Sequence, residues 1–288
     1  MIDQSVDLIL CDWTLWSESL QSKPVLVHAL TQGLTNKSFL LKSGQQQLVL
    51  RINAIDSHAL DLDRSQELKF HRAAENLGLS PPLLYAAPDQ SYMVKEYVAG
   101  ETWQLSDSRS RGGDQIDDIA DTLKQIQSLS IEAKTINYFR KIERYWNQAT
   151  TVNPDIKSQF KPLVDRARLF FENYDAEVEQ LVPCHHDTVI ENIILSDRKI
   201  TLLDWEYAAL GDPWFDLVVF SESAQLNTSE THRLIQRYCE GKVTDEHANY
   251  RFSLAQQNFY YLDFFWHCAQ GANLDILLEK QKIINSLT

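Results

Sequence analysis

Basic residues are scarce in this chain. Lys and Arg number 27 against 40 Asp and Glu, which leaves a net charge of −13 over 288 residues. A polyanion has to be met by Lys and Arg, so general binding to nucleic acid or to an anionic membrane is not expected. The acidic balance suits a cationic or neutral small-molecule partner better. Cysteine is sparse too: Cys11, Cys184, Cys239 and Cys268 lie far apart and form no C-x-x-C pair. A disulfide framework or structural zinc site is therefore not expected, and such isolated cysteines usually pack as small apolar residues in a reducing compartment. No apolar run approaches the roughly 18 residues that span a bilayer. Met1-Ile2-Asp3-Gln4 has an early acid and no basic stretch, so no signal peptide is read and the expected location is cytoplasmic. Internal repeats, low-complexity tracts and long charge runs are also lacking.

Hydrophobic residues make up 44% and charged residues 23%, ordinary values for a globular protein with a substantial core. The length fits one large domain or two lobes. Strand patterns dominate the first hundred residues: 25–30, 38–41 and 48–52, then 83–86 and 92–98 around Pro88-Asp89. Between them Phe70, Ala73, Ala74 and Leu77 fall at helical spacing, with Gly78 as a stop. From about Asp114 helical periods take over, at 116–126, 155–181, 214–224, 229–238, 244–271 and 274–287. Two short strands interrupt them at 193–195 and 200–203. The expected fold is α+β and two-lobed, with a strand-rich lobe at 1–98, a helical lobe at 99–288 and a ligand cleft between them. Residues 1–24 are either an ordered lid or a packed extension, with Trp13 and Trp16 favouring packing.

The most informative segment is Cys184-His185-His186-Asp187-Thr188-Val189-Ile190-Glu191-Asn192. It contains H-x-D-x-x-x-x-N, followed at once by a strand, and Asp204 ends the next strand twelve residues after Asn192. Phosphoryl transfer needs a carboxylate to accept the hydroxyl proton, and hard oxygen ligands to hold Mg²⁺ against phosphates. Asp187, Asn192 and Asp204 supply that set, on the template of the kinase catalytic loop and its metal-binding Asp.

His185–Leu195, Leu203–Ala208 and Gly211–Leu217 resemble the phosphotransferase family that includes aminoglycoside phosphotransferases and the choline, ethanolamine and thiamine kinases. Leu-Asp-Trp-Glu-Tyr-Ala followed by Gly-Asp-Pro-Trp-Phe-Asp-Leu is similar to the bacterial choline and thiamine kinase branch. The resemblance implies a protein-kinase-like fold: a small antiparallel sheet with one helix, then a mostly helical lobe. It also implies ATP and Mg²⁺ as cofactors. Asp187 would be the catalytic base, Asn192 and Asp204 the metal ligands, and His185 and Asp216 the braces of the catalytic loop. Arg51 would lie on the ATP phosphates, paired with Glu67. Gly33, Leu34, Thr35 and Asn36 would cover the phosphates, and Glu96, Tyr97 and Val98 would meet the adenine.

For the substrate the resemblance implies a small alcohol bearing a cation, such as choline, ethanolamine or thiamine. Tyr207 and Trp266 match aromatic positions of the choline pocket in choline-kinase relatives, whereas Asp263 stands where such relatives often have another Trp and Glu222 lies one residue short of their acid; all four are taken as substrate residues of an incomplete cation pocket. An aminoglycoside or sugar-like alcohol is the alternative acceptor, and a non-catalytic nucleotide-binding module the alternative class. The sequence leaves the oligomeric state open. It departs from the family pattern in having a single glycine in the phosphate loop, His186 where relatives carry Gly or Asn, and Gln127 where many carry His. His185-His186-Asp187 as a metal cluster lacks a further spaced ligand, and no G-x-S-x-G marks a nucleophile.

Overall fold

The computed structural model describes residues 4–32, 36–54, 62–105, 109–196 and 199–287. The chain opens with α1 (Gln4–Ile9) and a 3₁₀ turn (Leu10–Leu15). Val6, Leu10, Trp16 and Leu20 bury themselves against Phe39, Leu41, Leu50 and Val94 of the sheet that follows, so this segment is a packed extension. That sheet holds β1 (Val25–Gln32), β2 (Asn36–Ser43) and β3 (Gln46–Asn53). Then come α2 (Arg64–Asn76), β4 (Leu83–Ala86) and β5 (Tyr92–Glu96). Its order is β1-β2-β3-β5-β4, antiparallel throughout. Asp63 caps α2 by accepting from the amides of Ser65 and Gln66. Gly78 ends it in the left-handed region, φ +71°, where a side chain would be strained.

The remainder is mostly helical. β6 (Glu101–Thr102) leads to α3 (Arg109–Gln127), α4 (Tyr138–Val152) and α5 (Ile156–Glu177). Three short strands follow, β7 (Val182–Cys184), β8 (Ile193–Ser196) and β9 (Lys199–Leu202), then β10 (Ala209–Gly211). β6, β8 and β9 form one small sheet, and β7 pairs with β10. The chain finishes with α6 (Phe215–Ser223), α7 (Thr228–Cys239), α8 (Asp245–Ala269) and α9 (Leu274–Leu287). Apolar stripes explain the packing: Ile142, Tyr145, Trp146 and Ala149 of α4 meet Phe264 and Phe265 of α8 in one core. A second core joins α3, α6 and α7 around Leu123, Leu217 and Leu234.

The sequence reading missed α4, β6, β7 and β10. It placed the start of α3 at Asp114, five residues inside the observed helix. No helix among the described residues is long and apolar enough to cross a membrane. All four cysteines are free, three of them buried.

Candidate active site

The loop between β7 and β8 is fixed from beneath by one carboxylate. Asp216, fully buried in the first turn of α6, accepts from the amides of His185 and His186, one on each oxygen and each at 2.7 Å. Its own carbonyl accepts from the Thr188 hydroxyl. Burial pushes the Asp216 carboxyl up to about 6, against the pull of those two amides. His185 Nε2–H donates to the Leu203 carbonyl at 2.9 Å, and its ring lies 4.5 Å from that of Trp205. Backbone and ring together tie the loop to the strand that delivers Asp204.

Asp187 and Asn192 meet on this loop. Asn192 Nδ2 donates to Asp187 Oδ2 at 2.7 Å and to the Asp187 carbonyl at 3.0 Å. Burial, and then the nearby charge of Asp204, push the Asp187 carboxyl up to about 8, with the Asn192 amide working against both. Asp204 sits in the left-handed region, φ +57°, which Asp tolerates better than most side chains. His186 is left-handed as well, φ +62°. Gly and Asn, the residues the family resemblance leads one to expect here, accept such backbone more readily than His.

A continuous buried ion network runs from Asp204 into the sheet. Arg51, on β3, reaches Asp204 at 2.7 Å and Glu67, on α2, at 2.5 Å. Arg64 pairs with both Glu67 and Glu206 at 2.8 Å, and Asn36 bridges Glu206 and Arg64. Arg64 and Glu206 had been given no role from sequence, although Glu206 stands within Leu203-Asp204-Trp205-Glu206-Tyr207. Burial opposes ionisation of Glu67, but Arg51 and Arg64 hold its carboxyl below the usual range.

Among the expected nucleotide contacts, Gly33, Leu34 and Thr35 lie outside the described residues. Asn36 is engaged in the ion network. The amides of Glu96 and Tyr97 already donate to Pro82 and Gln47, so of that trio Val98 keeps its amide outside these bonds.

Below Asp187 lies a pocket of about 270 Å³ whose walls include Tyr145, Tyr207, Phe259 and Trp266. Tyr207 and Trp266 therefore face one space with Asp187. The two acids expected beside them have other partners. Glu222 accepts from Tyr260 and Gln256 of α8, each at 2.6 Å, and lines a separate groove, because it stands nearly a turn past Val219, where α6 has left the pocket. Glu222, expected from sequence to meet the substrate, is thus not brought together with Tyr207, Trp266 and Asp187. Asp263 does line the pocket, but its carboxylate pairs with Lys280 at 2.5 Å and His267 at 3.2 Å. Burial raises the Asp263 carboxyl, yet these two partners outweigh it and hold it low. Lys141 of α4 reaches into the same pocket, 4.7 Å from the Tyr207 ring centre. Gln127 is remote from all this, bridging the Pro213 carbonyl and the Tyr238 hydroxyl.

Mg²⁺ was expected at Asn192 and Asp204, and the donors fit it. Both bonds of Asn192 use its nitrogen, so its oxygen remains for a ligand. Asp204 is a third exposed. Neutralising Asp204 would also remove a charge that raises Asp187. Among the described residues no group of three His, Cys, Asp or Glu side chains could hold a metal. Mg²⁺ characteristically takes only one or two protein carboxylates and completes its shell with phosphate and water. His185 and His186 spend their Nε2 atoms on Leu203 and Tyr138.

The fold is α+β and protein-kinase-like, an antiparallel five-stranded sheet with a helix followed by a mostly helical part. A profile of the phosphotransferase enzyme family matches residues 27–252, and the chain belongs to that family. Protein LicA of Haemophilus influenzae is 23% identical over 229 residues, 78% of this chain and 66% of that protein, so the match spans just under two thirds of the relative. A thiamine kinase of Salmonella paratyphi B is 27% identical over 187 residues, 64% of this chain and 61% of the relative. In the crystal structure of choline kinase LicA from Streptococcus pneumoniae the fold superposes with a TM-score of 0.78 over 99% of both chains, at 19% identity.

Proposed function

We propose that this chain transfers the γ-phosphoryl group of ATP to the hydroxyl of a small organic alcohol, with Mg²⁺. The observation that carries the reading is the position of Asp187. Its carboxylate is clamped by Asn192 on a loop braced by Asp216, and it faces an aromatic-walled pocket with Asp204 and Arg51 beside it. In this reading the acceptor lies in the pocket with its hydroxyl on Asp187. The hydroxyl proton passes to the carboxylate as the oxygen attacks phosphorus and the bond to ADP breaks. Arg51, held rigid by Glu67, spreads positive charge along the phosphates. Asn192 and Asp204 would hold Mg²⁺, which neutralises phosphate charge when bound. Catalysis is then mainly positioning and preorganised electrostatics.

The curated relatives include a thiamine kinase, which supports a small alcohol as acceptor. A choline-, ethanolamine- or thiamine-like cation is the acceptor class implied by the family resemblance, and an aromatic-walled pocket suits an organic cation. A non-catalytic nucleotide-binding module is disfavoured because such modules usually lack the base or a metal ligand, and Asp187, Asn192 and Asp204 are all present. The test is ATP consumption with Mg²⁺ against choline, ethanolamine, thiamine, kanamycin and a set of sugars and sugar acids. Saturable turnover of one alcohol supports the reading. ATP binding with no turnover of any alcohol, and no effect of Mg²⁺, would instead favour the non-catalytic module.

A further inference from the structure

The pocket below Asp187 is walled mainly by apolar side chains, among them Val189, Phe215, Val219, Phe259, Leu262 and Trp266. Its volume of about 270 Å³ equals about nine waters at roughly 30 Å³ each, room for a single ring with a short arm. Flat aromatic walls favour such a ring, which they can meet by stacking or by edge contact.

The polar groups that reach this space already have employment. His186 places its Nε2 3.0 Å from the Tyr138 hydroxyl. The Lys141 ammonium lies over the Tyr207 ring, 4.7 Å from its centre, and has further interactions besides. A protein cation therefore occupies the ring face that an ammonium-bearing acceptor would seek. Asp187 is kept for the hydroxyl. That leaves Asp263 as the acid through which the pocket could hold a cation.

Asp263 is occupied on both oxygens. Lys280 donates to Oδ2 at 2.5 Å, and His267 Nδ1 stands 3.2 Å from Oδ1. Lys280 comes from α9, which contributes no residue to the pocket lining. An acceptor cation would have to enter an apolar space and displace this pair, at the cost of its own hydration.

We propose that the acceptor alcohol is uncharged and apolar, a single ring carrying its hydroxyl on a short arm, and that Lys280 sets this preference by occupying Asp263. Lys280 is then a specificity-determining residue that acts through Asp263. The hydroxyl end rests on the phosphotransferase reading, but the charge preference is a binding property and can be read without turnover.

The experiment uses three alcohols that share a ring and a hydroxymethyl group: 4-methylbenzyl alcohol, 4-(hydroxymethyl)benzylamine and 4-(hydroxymethyl)benzoate. Choline and thiamine are run alongside. Turnover with ATP and Mg²⁺, and the rise in melting temperature on binding, are measured for the wild type, Lys280→Met, Lys280→Arg and the double variant Lys280→Met with Asp263→Asn. The wild type should favour the neutral alcohol over both charged ones by at least about tenfold. Lys280→Met frees a carboxylate in the pocket and should raise the amine-to-neutral preference at least about tenfold, through KM. Lys280→Arg should restore the wild-type ranking, and Asp263→Asn should take the gain away. A gain of this kind is not what a loosened fold produces. Better binding of the amine, choline, thiamine or the benzoate by the wild type overturns the proposal and leaves phosphotransfer intact. An unchanged ranking in Lys280→Met, or a gain that survives Asp263→Asn, overturns the role of Lys280. If Lys280→Met does not fold, the wild-type ranking decides by itself. Selective binding of the neutral alcohol with no phosphorylation of any compound keeps this inference and refutes the phosphotransferase. Absence of binding of all three ring alcohols to the wild type refutes the inference.

Discussion

Replacing Glu67 by Ala probes the hinge of the ion network. Glu67 is 2% exposed and holds Arg51 with one oxygen and Arg64 with the other. Removing one partner from a buried ion pair destabilises by about 3–5 kcal/mol, because a desolvated charge is left behind. Here neither guanidinium is stranded entirely: Arg51 retains Asp204, and Arg64 retains Glu206 and Asn36. The lower end, about 3 kcal/mol, is therefore expected. With an unfolding entropy of about 2.1 cal/mol/K per residue over 288 residues, that corresponds to a fall in Tm of about 5 °C. Calorimetry measures it directly, and a double-mutant cycle with Arg51→Ala isolates the pair term, expected to exceed about 1 kcal/mol. A Tm within 1 °C of wild type, or a coupling near zero, would show that Arg51 is positioned by something other than Glu67.

Two further outcomes follow from the loop and from the sheet side. A Cβ on Gly211 would run into the His186 imidazole, 2.7 Å from its Cε1, and lie 2.9 Å from the Tyr138 hydroxyl. Gly211→Ala should therefore lower stability by about 1–3 kcal/mol and cut turnover by more than the melt alone explains, since His186 adjoins Asp187. A variant with wild-type melting and turnover contradicts that packing. Burial, with Lys95 adding to it, pushes His71 down to about 3. Its folded value is depressed, so its contribution is fully present above pH 6.5 and is lost as pH falls through 6.5 towards 3. His71→Gln should flatten the dependence of unfolding free energy on pH by about 1.4 kcal/mol per unit between pH 6 and 4. Urea unfolding at pH 4, 5, 6 and 7 reads this slope, and equal slopes in both proteins would refute the assignment.

The candidate site was legible in the sequence because it is local. Asp187, Asn192 and Asp204 come from one loop and the strand pair beside it, where spacing along the chain nearly determines spacing in the fold. The five-stranded sheet was legible for a similar reason: its strands alternate or run apolar, and a glycine or proline punctuates most of the turns between them. What sequence did not give was the set of partners each charge would find. Glu222 and Asp263 are acids at plausible positions, yet tertiary packing assigns one to Tyr260 and Gln256 and the other to Lys280, seventeen residues on. Arg64 and Glu206, 142 residues apart, meet only because α2 packs on the turn after β9. The stripe Tyr138, Ile142, Tyr145 and Ala149 did signal a helix and went unread, and with it the placement of Lys141 over Tyr207. The strands β7 and β10 have three residues each, too few to show a period.

The most direct test of the central claim separates chemistry from binding at Asp187. Nucleotide affinity and the rate of phosphoryl transfer to the best acceptor are measured side by side for the wild type and Asp187→Ala. A general base contributes about 10²–10⁴ in rate, whereas the nucleotide is held by other groups. Transfer should fall by at least about 10² while the Kd for ATP changes by less than about threefold. Transfer persisting within tenfold of wild type would contradict the assignment of Asp187 as the base.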